Sequence, residues 1–104
     1  MICYTVRCEF TGDTGVAGEW VAWLKDKHWQ DVLNAGAASA MLVRMDAANL
    51  VYEVRYVFPS REAFNTYERE HAPALRDEGL SRFPLERGLS YQRTVGDVVE
   101  SMEM

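Results

Sequence analysis

A strand pattern used twice constrains this chain more than any feature of its composition. Tyr4-Thr5-Val6-Arg7-Cys8-Glu9-Phe10 and Tyr52-Glu53-Val54-Arg55-Tyr56-Val57-Phe58 both read Tyr-x-Val-Arg-x-x-Phe. Each copy leads into a helical stretch that carries a histidine and then a glycine, His28 and Gly36 in the first half, His71 and Gly79 in the second. A glycine there suits a helix stop, because it tolerates the left-handed conformation that ends many helices. A further strand follows in each half. Two strand–helix–strand units in series predict βαββαβ, the ferredoxin-like α+β arrangement: an antiparallel four-stranded sheet with two helices on one face.

The chain of 104 residues is sized for one domain. Residues 1–96 are expected to form it and 97–104 an acidic C-terminal tail. With 48% hydrophobic and 26% charged residues, it can fill one core without being disordered or membrane-embedded. A net charge of −5 argues against nucleic-acid binding, which rests on Lys and Arg neutralising phosphates. No apolar run approaches the roughly 20 residues of a membrane span. Met1 and Ile2 lead straight into a strand and leave no room for a signal peptide, so a cytoplasmic location is expected. Cys3 and Cys8 fall on opposite faces of one strand, too far apart to bond each other, and read as two reduced thiols.

Taken in order, residues 2–10 alternate apolar and polar as a strand with one buried face. The Thr11–Gly15 loop precedes a helix expected to start between Thr14 and Glu19 and to run to about Ala35. On that helix Val21, Leu24, His28, Val32 and Ala35 share a face at 3.6-residue spacing, with Trp20 beside them. Trp23 is expected to point away from this stripe and Trp29 to lie at its edge, covered by a ligand, a partner or neighbouring loops. Residues 37–45 and 50–58 read as strands joined by the Asp46–Asn49 turn. Ser60 is a suitable N-cap for the second helix, with Glu62 in its first turn. Pro73 lacks an amide and must break that helix after about Glu70. A short second piece should then run from Pro73 to Glu78, stopped by Gly79, and the last strand should occupy 88–95.

His28 and His71 both sit on apolar helix stripes and are the candidate acid/base groups, since imidazole changes charge most easily near neutral pH. Converging on the sheet, they would meet Tyr4, Tyr52 and Tyr56 from the strands, Tyr67 from the second helix and Trp20 from the first. Such walls make an apolar pocket with a few polar groups, the usual make-up of a small-molecule site. The alternative is that each histidine satisfies a stray carbonyl and serves packing alone. No metal site is expected, because two histidines would need a third ligand that the spacing does not offer. No cofactor motif is present either.

The opposite sheet face would carry Arg7, Glu9, Glu53 and Arg55 together with Met41, Val43, Met45, Val51 and Val57. The expected cross-strand pairs are Arg7 with Glu53 and Glu9 with Arg55. A face too apolar for open water and too charged for a core suggests a second subunit, hence a homodimer through this surface.

The segment from Tyr52 through Pro59-Ser60-Arg61-Glu62-Ala63 and Tyr67 to Glu70-His71-Ala72-Pro73-Ala74-Leu75-Arg76-Asp77-Glu78-Gly79-Leu80-Ser81-Arg82-Phe83 resembles an uncharacterised family of short bacterial proteins, a domain of unknown function. Met1-Ile2-Cys3-Tyr4 and the Trp23-Leu24…His28…Val32-Leu33…Gly36 pattern resemble it too. More loosely, the chain is similar to the dimeric α/β-barrel proteins, among them antibiotic-biosynthesis monooxygenases, EthD-like proteins, muconolactone isomerases and haem-degrading members. That resemblance implies a dimeric α/β barrel, two sheets packed face to face, with a pocket between helices and sheet. It supplies no catalytic set that maps onto this sequence.

Two functions follow as expectations. The first is a homodimeric module binding a small molecule or partner. The second is a cofactor-independent, monooxygenase- or isomerase-like enzyme acting on a small organic substrate through His28 or His71. RNA recognition shares the βαββαβ order, but the third strand lacks its basic-Gly-aromatic signature.

Overall fold

Alternation sets the strands, and the strands set the sheet. In the computed structural model, which describes residues 1–103, β1 (Ile2–Phe10), β2 (Ser39–Arg44), β3 (Leu50–Phe58) and β4 (Leu89–Asp97) form one sheet in the order β2-β3-β1-β4. All pairings are antiparallel. The last residue of the tail expected over 97–104 lies outside the described residues. The two repeat copies are the central neighbours, and Tyr4 faces Tyr56 while Val6 faces Val54. This is the ferredoxin-like α+β fold that the repeat predicts.

One face of the sheet is apolar and carries the helices. Ile2, Tyr4, Cys8, Phe10, Val54, Tyr56 and Phe58 are buried on it. The first helical segment comprises α1 (Thr14–Trp23), a π-helical turn (Leu24–His28) and α2 (Trp29–Asn34). Asp13 caps it by accepting from the Gly15 N–H at 2.9 Å. Gly36 ends it at φ +127°, the left-handed region its lack of a Cβ permits. The second segment comprises α3 (Arg61–Glu70) and α4 (Ala72–Arg82). Ser60 caps α3 as expected, its Oγ accepting from the Ala63 N–H at 3.0 Å.

Three expectations are corrected here. Gly79 is not a helix stop: it lies inside α4, which continues to Arg82. Its lack of a side chain admits Trp23, whose Cη2 would stand 3.3 Å from a Cβ at that position. Trp23 does not point away from the core but is buried. The cause is the π turn, in which the Trp29 N–H donates to the Leu24 carbonyl five residues back. The wider turn advances less per residue than an α-helix, so positions five apart come onto one face. Finally, Glu9 does not pair with Arg55. The register sets Glu9 opposite Val51 and Arg55 opposite Thr5. Glu9 accepts from Asn49 at 2.7 Å instead, and Arg55 turns along its own strand to Glu53 at 2.8 Å. The other expected pair is present, Arg7 to Glu53 at 3.1 Å. Among the described residues, no helix is long and apolar enough to cross a membrane.

Candidate functional site

Between the π turn, α4 and the sheet lies a cavity of about 40 Å³. A water needs roughly 10–15 Å³ of such space, so the cavity accommodates a few waters or a group of similar size. Its floor is the sheet, through Tyr4, Val6, Val54 and Tyr56 from the central strands. Its walls are Trp20, Trp23 and His28 from the first helical segment and Tyr67, Arg76 and Gly79 from the second. Tyr91 and Arg93 close it from β4. Tyr91 and Arg93 face the helices because they pair with Cys8 and Val6, residues of the helix-facing side of β1.

The aromatic rings pack in clusters along these walls. Tyr4 stacks on Tyr56 with ring centroids 5.9 Å apart and meets Tyr67 at 6.0 Å. Trp23 stacks on His28 at 4.4 Å and 22°, the contact the π turn creates. Several polar atoms are satisfied: the Trp20 Nε1–H donates to the Tyr91 hydroxyl at 3.1 Å. Arg76 Nη2 donates to the Tyr4 hydroxyl at 3.1 Å and to Glu68 at 2.7 Å. Three others have no partner within the protein. Among the described residues, the buried side-chain nitrogens and oxygens without a partner are Trp23 Nε1, His28 Nδ1 and Arg76 Nε. All three belong to residues lining this one cavity. Leaving a buried polar group unpaired costs about 1–3 kcal/mol, so three at one place call for a structural or functional reason.

Burial also fixes the charge states. It pushes the His28 imidazole down to about 4, while Asp31 and Glu78 pull weakly the other way. At neutral pH His28 is therefore uncharged. Burial pushes the Tyr56 and Tyr67 phenols up, each reinforced by nearby tyrosines, and holds Tyr91 at about 12. These hydroxyls stay protonated. Burial opposes the charge on Arg76, but its hydrogen bonds to Glu68 and Tyr4 more than restore it.

The cavity gathers His28, Trp20, Tyr4, Tyr56 and Tyr67, five of the residues that sequence reasoning placed at a pocket. Two are elsewhere. Tyr52 packs beyond it, against Trp20 at 6.1 Å and Phe10 at 6.4 Å. His71 is exposed at the joint between α3 and α4. Its backbone leaves the helical path (φ −122°, ψ −41°) two residues before Pro73, so the apolar stripe of α3 does not carry through it. The expected convergence of two imidazoles is thus replaced by one imidazole and two guanidinium groups. Arg76 and Arg93 were not singled out from the sequence. Arg93 could have been, since it alternates with Tyr91 and Val95 on β4.

The fold is shared with proteins of little sequence likeness. A dimeric ferredoxin-like protein from an uncultured marine organism matches with a TM-score of 0.71 at 12% identity, covering 100% of both chains. SnoaB, a cofactor-independent oxygenase from Streptomyces nogalater, matches at 0.69 and 12% identity over 99% of this chain and 97% of that one. A mutant of MhuD with two manganese protoporphyrin IX molecules bound per active site matches at 0.67 and 16% identity, covering 100% of both chains. At these identities the likeness is one of fold. No curated protein matches the sequence. Over residues 1–95, however, the sequence matches the family described as Domain of unknown function (DUF4286), and by that match, which takes in nearly the whole chain, the protein belongs to it.

Proposed function

We propose that the protein is a homodimeric small-molecule-binding module whose ligand occupies the cavity between the π turn, α4 and the sheet. The observation that carries this reading is the coincidence of Trp23 Nε1, His28 Nδ1 and Arg76 Nε, all buried, all unpartnered and all on residues of one cavity. A ligand offering polar atoms there would give all three the partner that the protein itself does not supply. The π turn supports it as well. Such turns are rare and are frequent at functional sites, and this one brings His28 over Trp23. In this reading Tyr4, Tyr56, Tyr67 and Trp20 supply the apolar walls.

The homodimer rests on the other sheet face. Arg7, Glu53 and Arg55 form a linked ion-pair cluster there beside Met41, which is 59% exposed. Val51 is buried on that side, apart from the main core. A second copy of the face, presented across a two-fold axis, matches this mixture of charge and apolar surface. The fold relative from the marine organism is itself described as dimeric. Sedimentation at micromolar concentration is expected to give a dimer; a protomer-sized species alone contradicts the pairing.

A second reading, a cofactor-independent enzyme, is favoured by one observation: the neutral imidazole of His28 has a free Nδ1 beside a cavity, able to accept a proton from a bound substrate. SnoaB shows that the fold can host an oxygenase. Thermal-shift screening of small organic molecules, haem and flavins against wild type, His28→Ala and Arg76→Gln tests the binding reading. Ligands that raise the melting temperature of wild type should lose that effect in both variants. Shifts that survive both substitutions unchanged contradict a cavity site. Conversion of a stabilising ligand to product, abolished in His28→Ala, would select the enzymatic reading.

A further inference from the structure

The cavity is closed on one side by a helix that the rest of the protein holds loosely. α4 lines it through Arg76, Gly79 and Leu80, yet of the 11 residues in α4 only Ala72 and Gly79 are buried. Leu75, Arg76 and Glu78 are half-buried, and Leu80 is exposed. α3 is the opposite case: its Phe64 and Tyr67 pack on Phe58 and Tyr4 with ring centroids between 5.0 and 6.0 Å apart. Among the described residues, no backbone hydrogen bond joins α4 to the sheet or to the first helical segment. Two side-chain contacts do so instead, Arg76 Nη2 to the Tyr4 hydroxyl at 3.1 Å and Lys27 of the π turn to Glu78 at 3.0 Å. The second stands largely in water, with 50% of the Lys27 side chain and 34% of the Glu78 side chain exposed, and so holds weakly. At both ends of α4 the backbone leaves the helical path, at His71 and at Phe83 (φ −128°, ψ 69°), which Pro84 follows. Phe83 is itself buried against Trp23 at 5.4 Å, which fixes the far end.

We propose that α4 is a lid, pivoting at His71 and at Phe83–Pro84 and latched to the π turn by Glu78 and Lys27, which lifts to admit ligands larger than the closed cavity holds. The closed space of about 40 Å³ takes a few waters, whereas a ring the size of benzene needs about 150 Å³. Residues at the ends of elements are the usual hinges, and segments with few buried apolar contacts are the ones that open locally. Lifting α4 takes Gly79 off the Trp23 ring and Arg76 off Tyr4, which uncovers the unpartnered Trp23 N–H. Gly79 suits a contact that must break and re-form, since it lays bare backbone on the indole with no side chain to interlock. The lid rests on the binding reading above for what it admits, but not for its movement.

Hydrogen exchange of the full chain without ligand, followed by proton–nitrogen NMR at neutral pH, tests the movement. Isolated helices below about 12–15 residues are marginal in water, so α4, with 11, frays once lifted and its amides exchange. After correction for intrinsic rates, the amides of residues 75–82 should be at least about tenfold less protected than those of α3, β1 and β3, with the Trp23 indole N–H exchanging alongside them. Lys27→Met and Glu78→Gln should each speed both by about two- to fivefold, the range for an exposed ion pair, and leave β1 and β3 unchanged. The double variant should be no faster than the faster single one, because the same contact is lost in all three. Amides of α4 as protected as those of β1, or an acceleration that β1 and β3 share, overturn the lid. So do α4 amides that exchange while the Trp23 N–H stays protected, since the helix then frays without uncovering the cavity. Single variants without effect on α4 overturn the latch. A failed lid leaves the cavity able to bind a group of a few atoms. A thermal-shift screen without a hit dependent on His28 or Arg76 removes the binding reading while leaving the measured opening in place.

Discussion

Replacing His28 should flatten the acid limb of the protein's stability curve. Packed against Trp23 and largely withdrawn from water, the folded imidazole is pushed down to about 4 from its ordinary 6.5, because burial penalises the cation more than Asp31 and Glu78 favour it. Between those two values the unfolded chain binds a proton that the folded chain refuses. Stability must therefore rise with pH across the window. The contribution is fully present above 6.5 and lost as pH falls towards 4. Integrated from pH 7 to pH 5, the difference amounts to about 2 kcal/mol, and to about 3 kcal/mol by pH 4. Urea unfolding of wild type and His28→Gln at pH 7, 6 and 5, at one fixed protomer concentration, isolates the effect from the carboxylates that both proteins share. The variant should be the less stable at pH 7, having lost the stack on Trp23. The gap should then narrow by about 2 kcal/mol at pH 5. Parallel curves across that range would mean that His28 protonates freely in the folded protein, and the neutral imidazole would have to be abandoned.

Two glycines with opposite surroundings give opposite outcomes. Gly79→Val drives a branched side chain into Trp23, itself held by His28 and Phe83, and should cost about 1–3 kcal/mol in urea unfolding; an unchanged midpoint refutes the close approach. Gly18→Ala meets nothing within 4 Å on α1 and should stabilise by about 0.5–1 kcal/mol, and a loss instead would show an unseen contact. The Cys8 thiol is fully buried and pushed up to about 12. In native protein at pH 8, iodoacetamide should leave it unmodified, with alkylation only in urea, as peptide mass spectrometry can read; native labelling at the unfolded rate contradicts the burial.

How far the sequence disclosed this depended on which periodicity each segment obeys. Period-two alternation is insensitive to context, so β1 and β3 and their central pairing follow from the repeated Tyr-x-Val-Arg-x-x-Phe. The cap at Ser60 and the break before Pro73 were equally local, each set by one residue's backbone chemistry. The helices misled where they depart from 3.6 residues per turn. A single π turn moved Trp23 from the expected outer face to the cavity wall, and nothing in Leu24-Lys25-Asp26-Lys27-His28 announces it. The histidine–glycine half of the repeat failed for a related reason. Gly36 ends a helix and Gly79 makes room for an indole, so equal spacing concealed unequal roles. His71 then fell outside the cavity, and guanidinium groups from α4 and β4 took the place assigned to it. Those arginines become legible only once strand order and register are known.

The buried nitrogens of Trp23, His28 and Arg76 have no partner within the protein, and a ligand in the cavity would supply one. The Trp23 indole N–H is a specific reporter, since no protein group accepts from it and it has a distinct proton–nitrogen resonance, assignable by Trp23→Phe. On titrating a molecule that raises the melting temperature, this resonance should move downfield with saturation, as the N–H gains an acceptor, while that of Trp29 stays in place. A stabilising ligand that leaves the Trp23 resonance unmoved would place its binding outside this cavity.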